Sequence, residues 1–102
     1  MESEYIYHVT TLSEWEQAKT KGEYQPAQFE QDGFIHCSSE KQVAGVLDRF
    51  YKGKTGLVKL KIEKAKLLRP LLFELATDLD ELFPHIYGTL NLDSVVEVIN
   101  IG

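Results

Sequence analysis

Apolar and polar residues alternate along this chain in blocks short enough for strands, broken by two stretches with helical spacing. In residues 4–10, EYIYHVT, Ile6, His8 and Thr10 share one face and Tyr5, Tyr7 and Val9 the other, which predicts a strand. TLSEWEQAKTKG follows. Ser13 with Glu16 reads as a capping box, Leu12, Trp15 and Ala18 as an apolar stripe, and Gly22 as the stop of a helix. Residues 23–32, EYQPAQFEQD, predict a loop punctuated by Pro26 and closed by Asp32-Gly33. GFIHCSS then predicts a short strand with Phe34, His36 and Ser38 on one side and Ile35 and Cys37 on the other. Ser39 with Gln42 is a second capping box. It opens a helix from about Glu40 to Tyr51, in which Val43, Val46, Leu47 and Phe50 recur at helical spacing.

The second half reads mostly as strands. LVKLKI at 57–62 alternates. Leu71 to Glu74 forms a strand after Pro70, ATDLDE an acidic loop, and FPHIYGTL a short strand with His85 and Tyr87 on one face. NLD is a turn and VVEVINI the final strand. The fold class this predicts is α+β: a mixed or antiparallel sheet with two main helices packed against it.

The 102 residues, 43% of them hydrophobic, suit a single domain over 1–102 with one core. A lone Cys37 rules out an intramolecular disulfide and fits a reducing compartment. The start, MESEYIYHV, lacks a basic region followed by an apolar stretch, and no apolar run nears the roughly 20 residues of a membrane span. The expectation is a cytoplasmic protein with no membrane contact. Net charge is −5, unevenly spread. Residues 49–69 hold eight bases and one acid, while residues 70–102 hold six acids and no base. The basic block is either a phosphate-binding patch or the solvated face of a strand, since Lys59 and Lys61 alternate with Val58, Leu60 and Ile62. Overall acidity argues against broad nucleic-acid binding.

Candidate chemistry centres on three histidines, His8, His36 and His85, each bounded by apolar or aromatic neighbours (YHV, IHC, PHI). If their strands are adjacent, they line one concave site able to bind a polar ligand or move protons; otherwise they are hydrogen-bonded core residues. No His-x-His or His-x-x-x-His spacing points to a metal. Cys37 lies on the opposite face from His36 and reads as a small buried residue. Ser38-Ser39 at a helix start would offer amides and hydroxyls to an anion, although capping alone explains Ser39.

IYHVT, GEYQPAQFEQDGFIHCS, LDRFYKG and ELFPHIYGTLNLDSVVEV together resemble the small bacterial domain-of-unknown-function family numbered 952, over about Tyr5 to Ile99. That family is grouped with the ADP-ribosyltransferase-like superfamily. The resemblance implies a split sheet of that kind and a cleft for NAD or a related nucleotide, with NAD as substrate rather than resident cofactor. In the superfamily, a first-strand histidine followed two places on by a hydroxyl holds the nicotinamide riboside, and His8 and Thr10 in YHVT resemble that element. FIHCSS stands where a second strand meets a helix, with His36 and Ser38 as nearest matches. The late strand that carries a glutamate in many transferases offers His85 and Tyr87 instead, with Glu81 upstream in the predicted loop. Members acting on RNA 2′-phosphate use arginine and histidine, and the only arginines here are Arg49 and Arg69. The expected site is therefore His8, His36 and His85 as catalytic groups, with Thr10, Phe34, Ser38, Tyr51 and Tyr87 around the ligand. The rival expectations are a non-catalytic binding module on the same fold and a purely structural role for the histidines.

Overall fold

Alternation in the first segment becomes a strand buried on both faces. The computed structural model describes residues 4–102; residues 1–3, part of the stretch read above as lacking a leader, lie outside the described residues. Strand β1 (Tyr5–Thr11) runs antiparallel to β4 (Leu57–Glu63), and β4 to β8 (Val95–Asn100). Ile6, His8 and Thr10 face Ile62, Leu60 and Val58 across the ladder, so this side of the sheet enters the main core. The reverse side carries the lysines. The Lys59 amine sits 5.2 Å from the Tyr7 ring centre and that of Lys61 sits 4.4 Å from Tyr5, cation–π contacts along a strand face. The basic block is thus divided: Lys59 and Lys61 lie along the sheet, while Arg49 and Lys54 reach the cleft described below.

Helix α1 (Leu12–Lys21) starts earlier than its sequence suggested. The cap is Thr11, whose hydroxyl accepts the Glu14 amide at 3.1 Å, and Ser13 lies inside the first turn. β1 runs one residue beyond the predicted end, so the chain enters the helix directly from Thr11. Trp15 and Ala18 are buried as expected, Leu12 stays exposed, and Gly22 ends the helix.

The predicted loop at 23–32 is not structureless. It holds β2 (Glu23–Tyr24), paired with β7 (Leu90–Asn91), and a single helical turn, α2 (Phe29–Asp32). Neither is long enough to show a period in sequence. Gly33 closes α2 at φ 80°, donating its amide to the Phe29 carbonyl, a conformation that favours glycine.

Strand β3 (Ile35–His36) lies at one edge of a second three-stranded antiparallel sheet, beside β6 (Glu81–Ile86) and then β5 (Leu71–Ala76). Glu81 belongs to this sheet, opposite Ala76, rather than to a loop, because Leu75 pairs with Leu82 and prolongs the hairpin. Helix α3 (Glu40–Phe50) opens on the Ser39–Gln42 capping box and buries Val43 against Tyr7 and Val9. It ends one residue before Tyr51, and Phe50 remains 63% exposed. The two larger sheets meet where Tyr7 and Ser38 exchange backbone hydrogen bonds of 2.7 Å each. The architecture is α+β, with three α-helices and antiparallel sheets among the described residues. Among the described residues no helix is long and apolar enough to cross a membrane.

Candidate functional site

A cleft of about 650 Å³ lies between β1 and β3. His8 and Thr10 of β1, Phe34, His36 and Ser38 around β3, His85 of β6, and Arg49, Phe50 and Tyr51 at the end of α3 contribute to its walls. Strands distant in sequence therefore bring all three imidazoles to one hollow, but the three are built differently.

His8 is sealed, with 8% of its surface exposed. Its Nδ1 lies 2.6 Å from the His36 carbonyl oxygen and its Nε2 2.7 Å from the Tyr24 hydroxyl. A carbonyl only accepts, so Nδ1 carries the proton, and Nε2 then accepts from Tyr24. Burial pushes the His8 pKa down to about 4, keeping the ring neutral, and pushes the Tyr24 phenol up, keeping it a donor. With both nitrogens engaged, His8 ties β1 to β2 and β3.

His36 and His85 pair across the β3–β6 ladder, with ring centres 4.9 Å apart at 78°. His36 Nε2 meets the Asp32 carboxylate at 3.2 Å, and its side chain is 59% exposed. His85 Nδ1 meets Glu74 at 2.7 Å, with its side chain 12% exposed. The Tyr87 hydroxyl donates to the same Glu74 oxygen. Hydrogen bonds from Tyr87 and then His85 hold the Glu74 carboxyl below its usual range, while the Tyr87 phenol is raised chiefly by that carboxylate. Desolvation, then the nearby His85, lowers the His36 pKa. Phe34 stacks on His85 at 4.0 Å and meets His36 at 4.6 Å, fixing both rings.

The remaining expected residues divide. Thr10 is buried and donates its hydroxyl to Glu14 at 3.3 Å, and Tyr51 donates to the Val9 carbonyl at 3.2 Å; both border the cleft. Ser38 borders it too, but its amide is bound to Tyr7 and that of Ser39 to Gln42, so neither amide is left for an anion. Tyr87 stands outside the cleft wall, its hydroxyl drawn to Glu74 and its ring 5.3 Å from Phe34. Cys37 is buried, and burial pushes its thiol up, as suits an inert core residue.

Sequence reading missed Tyr24, Asp32 and Glu74. The last had a signal: it is the one acid in the apolar run LLFEL. Glu81, the glutamate noted upstream of PHIYG, accepts from Gln42 instead of facing the cleft. Among the described residues no group of three or more His, Cys, Asp or Glu side chains is gathered as a metal would require.

Two kinds of relative frame this site. The chain is similar to the solved X-ray structure of protein CC0527 from Caulobacter crescentus, with TM-score 0.88, 29% identity, and coverage of 96% of this chain and 86% of that one. The X-ray structure of a double mutant of CC0527 gives TM-score 0.87, 28% identity and the same coverages, 96% and 86%. The solution NMR structure of CC0527 gives TM-score 0.83 and 29% identity, covering 97% of this chain and 85% of that one. No curated protein matches. Residues 9–98, nearly the whole chain, match the family described as "Protein of unknown function (DUF952)", and the chain belongs to that family.

Proposed function

We propose that the cleft binds NAD or a related nucleotide on an ADP-ribosyltransferase-like split sheet and acts on it as a transferase or hydrolase. One observation carries the reading: two cleft-lining imidazoles, each held by a carboxylate, share a hollow of about 650 Å³ with aromatic rings and two cations. The volume lies within the roughly 300–1,000 Å³ of small-molecule sites. Phe50 and Tyr51 offer faces for a base, and Arg49 and Lys54 offer charge for phosphates. His36 and His85 supply imidazole nitrogens that can accept or donate a proton.

The test is titration of NAD, ADP-ribose and nicotinamide into the protein while imidazole NMR shifts are followed. His36 and His85 are expected to move and His8 to stay still. No shift at millimolar ligand overturns the reading. A non-catalytic binding module is the second reading, favoured by Glu81 being tied to Gln42 away from the cleft. Saturable binding with no turnover of any bound nucleotide supports it over catalysis.

A further inference from the structure

We infer that His36 and His85 are an acid–base pair for cleaving a nucleotide phosphodiester, an inference that rests on the nucleotide reading above. The geometry is the ground for it. Each ring gives one nitrogen to a carboxylate, His36 through Nε2 to Asp32 and His85 through Nδ1 to Glu74. His36 Nδ1 and His85 Nε2 are left without protein partners among the described residues, on rings that border the cleft. Asp32 and Glu74 thus fix which nitrogen each ring presents, as positioning residues do in triads. Phe34, in contact with both rings, limits their rotation.

With ring centres 4.9 Å apart, the two imidazoles are close enough to serve one substrate together. The shorter carboxylate contact, 2.7 Å against 3.2 Å, makes His85 the acid of the pair. Burial and the neighbouring His85 lower the His36 pKa, which suits the base of the pair. The pair then presents a lone pair on His36 Nδ1 and a proton on His85 Nε2. That is the combination a phosphodiester needs, since one oxygen must lose a proton as another gains one. Arg49 and Lys54 border the same cleft with no ion pair among the described residues, and they match an anionic substrate.

In the reaction, water oxygen forms a bond to phosphorus and its proton passes to His36 Nδ1. The bond from phosphorus to the leaving alcohol oxygen breaks, and that oxygen takes the proton from His85 Nε2. A diester and water become a phosphomonoester and an alcohol. The pair ends with the proton on His36 instead of His85, and exchange with solvent restores it. The charged and titratable groups facing the pair are Asp32 of α2, Glu74 of β5 and the neutral phenol of Tyr87 beyond β6, with Glu14, Arg49 and Lys54 elsewhere on the cleft wall.

The experiment incubates the full chain with 2′,3′-cyclic AMP and follows the product by ³¹P NMR across pH 4–9. A phosphomonoester should form with a bell-shaped pH–rate profile. His36→Asn and His85→Asn should each lower the rate at least about 100-fold, with AMP still bound. Asp32→Asn and Glu74→Gln should lower it less and shift the profile. If either histidine variant unfolds, the wild-type profile still decides: a rate without a bell overturns the pair. Nucleotide-induced imidazole shifts with no hydrolysis overturn the inference and leave the nucleotide reading standing. No shift with AMP, NAD or ADP-ribose overturns both.

Discussion

On the β1 side of the cleft, one imidazole has its Nδ1 on the His36 carbonyl and its Nε2 on the Tyr24 hydroxyl, and 8% of its surface is exposed. On the β3–β6 side, two imidazoles each spend one nitrogen on a carboxylate and leave the other unpartnered among the described residues. The side chain type is the same in all three, and the surroundings assign its role. Where both nitrogens are filled and water is excluded, histidine is a neutral crosslink. Where a carboxylate holds one nitrogen beside a cleft, the other is available for proton transfer. Proximity to a hollow is therefore a weaker guide to chemistry than the number of open nitrogens.

The contrast can be broken most directly by truncation. His8→Ala should cost about 4 kcal/mol in urea unfolding, because it opens a cavity and strands the Tyr24 hydroxyl and the His36 carbonyl. A cost under about 1 kcal/mol would show that the crosslink is not structural.

Acidification is the next largest effect. The unfolded His8 takes up its proton near 6.5 and the folded one not until about 4. The stability this burial allows is complete above pH 6.5 and declines as pH falls toward 4, by about 3 kcal/mol over that window. Unfolding free energies at pH 7 and pH 4 for wild type and His8→Gln measure it, and the variant should show the smaller decline. Equal declines would refute a neutral buried His8.

Tyr24→Phe removes one hydroxyl and leaves His8 Nε2 unpaired, for an expected loss of about 1.5 kcal/mol. His36→Ala, on a side chain 59% exposed, should change stability by no more than about 0.5 kcal/mol. The same urea series reads both, and a reversed order would erase the distinction between crosslink and open pair. Subtlest of all is the coupling inside that pair. In His85→Gln, the His36 imidazole should titrate at higher pH than in wild type, since one cause of its lowered pKa is gone. NMR titration of the His36 ring reads this shift, and an unchanged midpoint would mean the two rings do not sense each other.

Periodicity made much of the frame legible. Alternation in EYIYHVT and LVKLKI, the Ser39–Gln42 box and the 0, 3, 4, 7 spacing of Val43, Val46, Leu47 and Phe50 correspond to β1, β4 and α3. The same local rules put Ile35 and Cys37 in the core and left His36 and Ser38 on the other face. They failed where elements are shorter than a period or where pairing overrides local preference. β2 exists because Tyr24 finds Leu90 far along the chain, and Glu81 is in a strand because the hairpin continues through Leu75 and Leu82.

By itself, then, the sequence determined which side chains share a face, because face is set by backbone repeat within a few residues. Which residues face one another was decided only in three dimensions. Tyr24 reaches His8 across 16 positions, Glu74 reaches His85 across 11, and His85 meets His36 through strand pairing. A hydrogen bond depends on distances of a few ångströms and on what excludes water around it, and neither is encoded in local spacing. The histidines were visible in the chain; which of them kept a free nitrogen was settled by the fold.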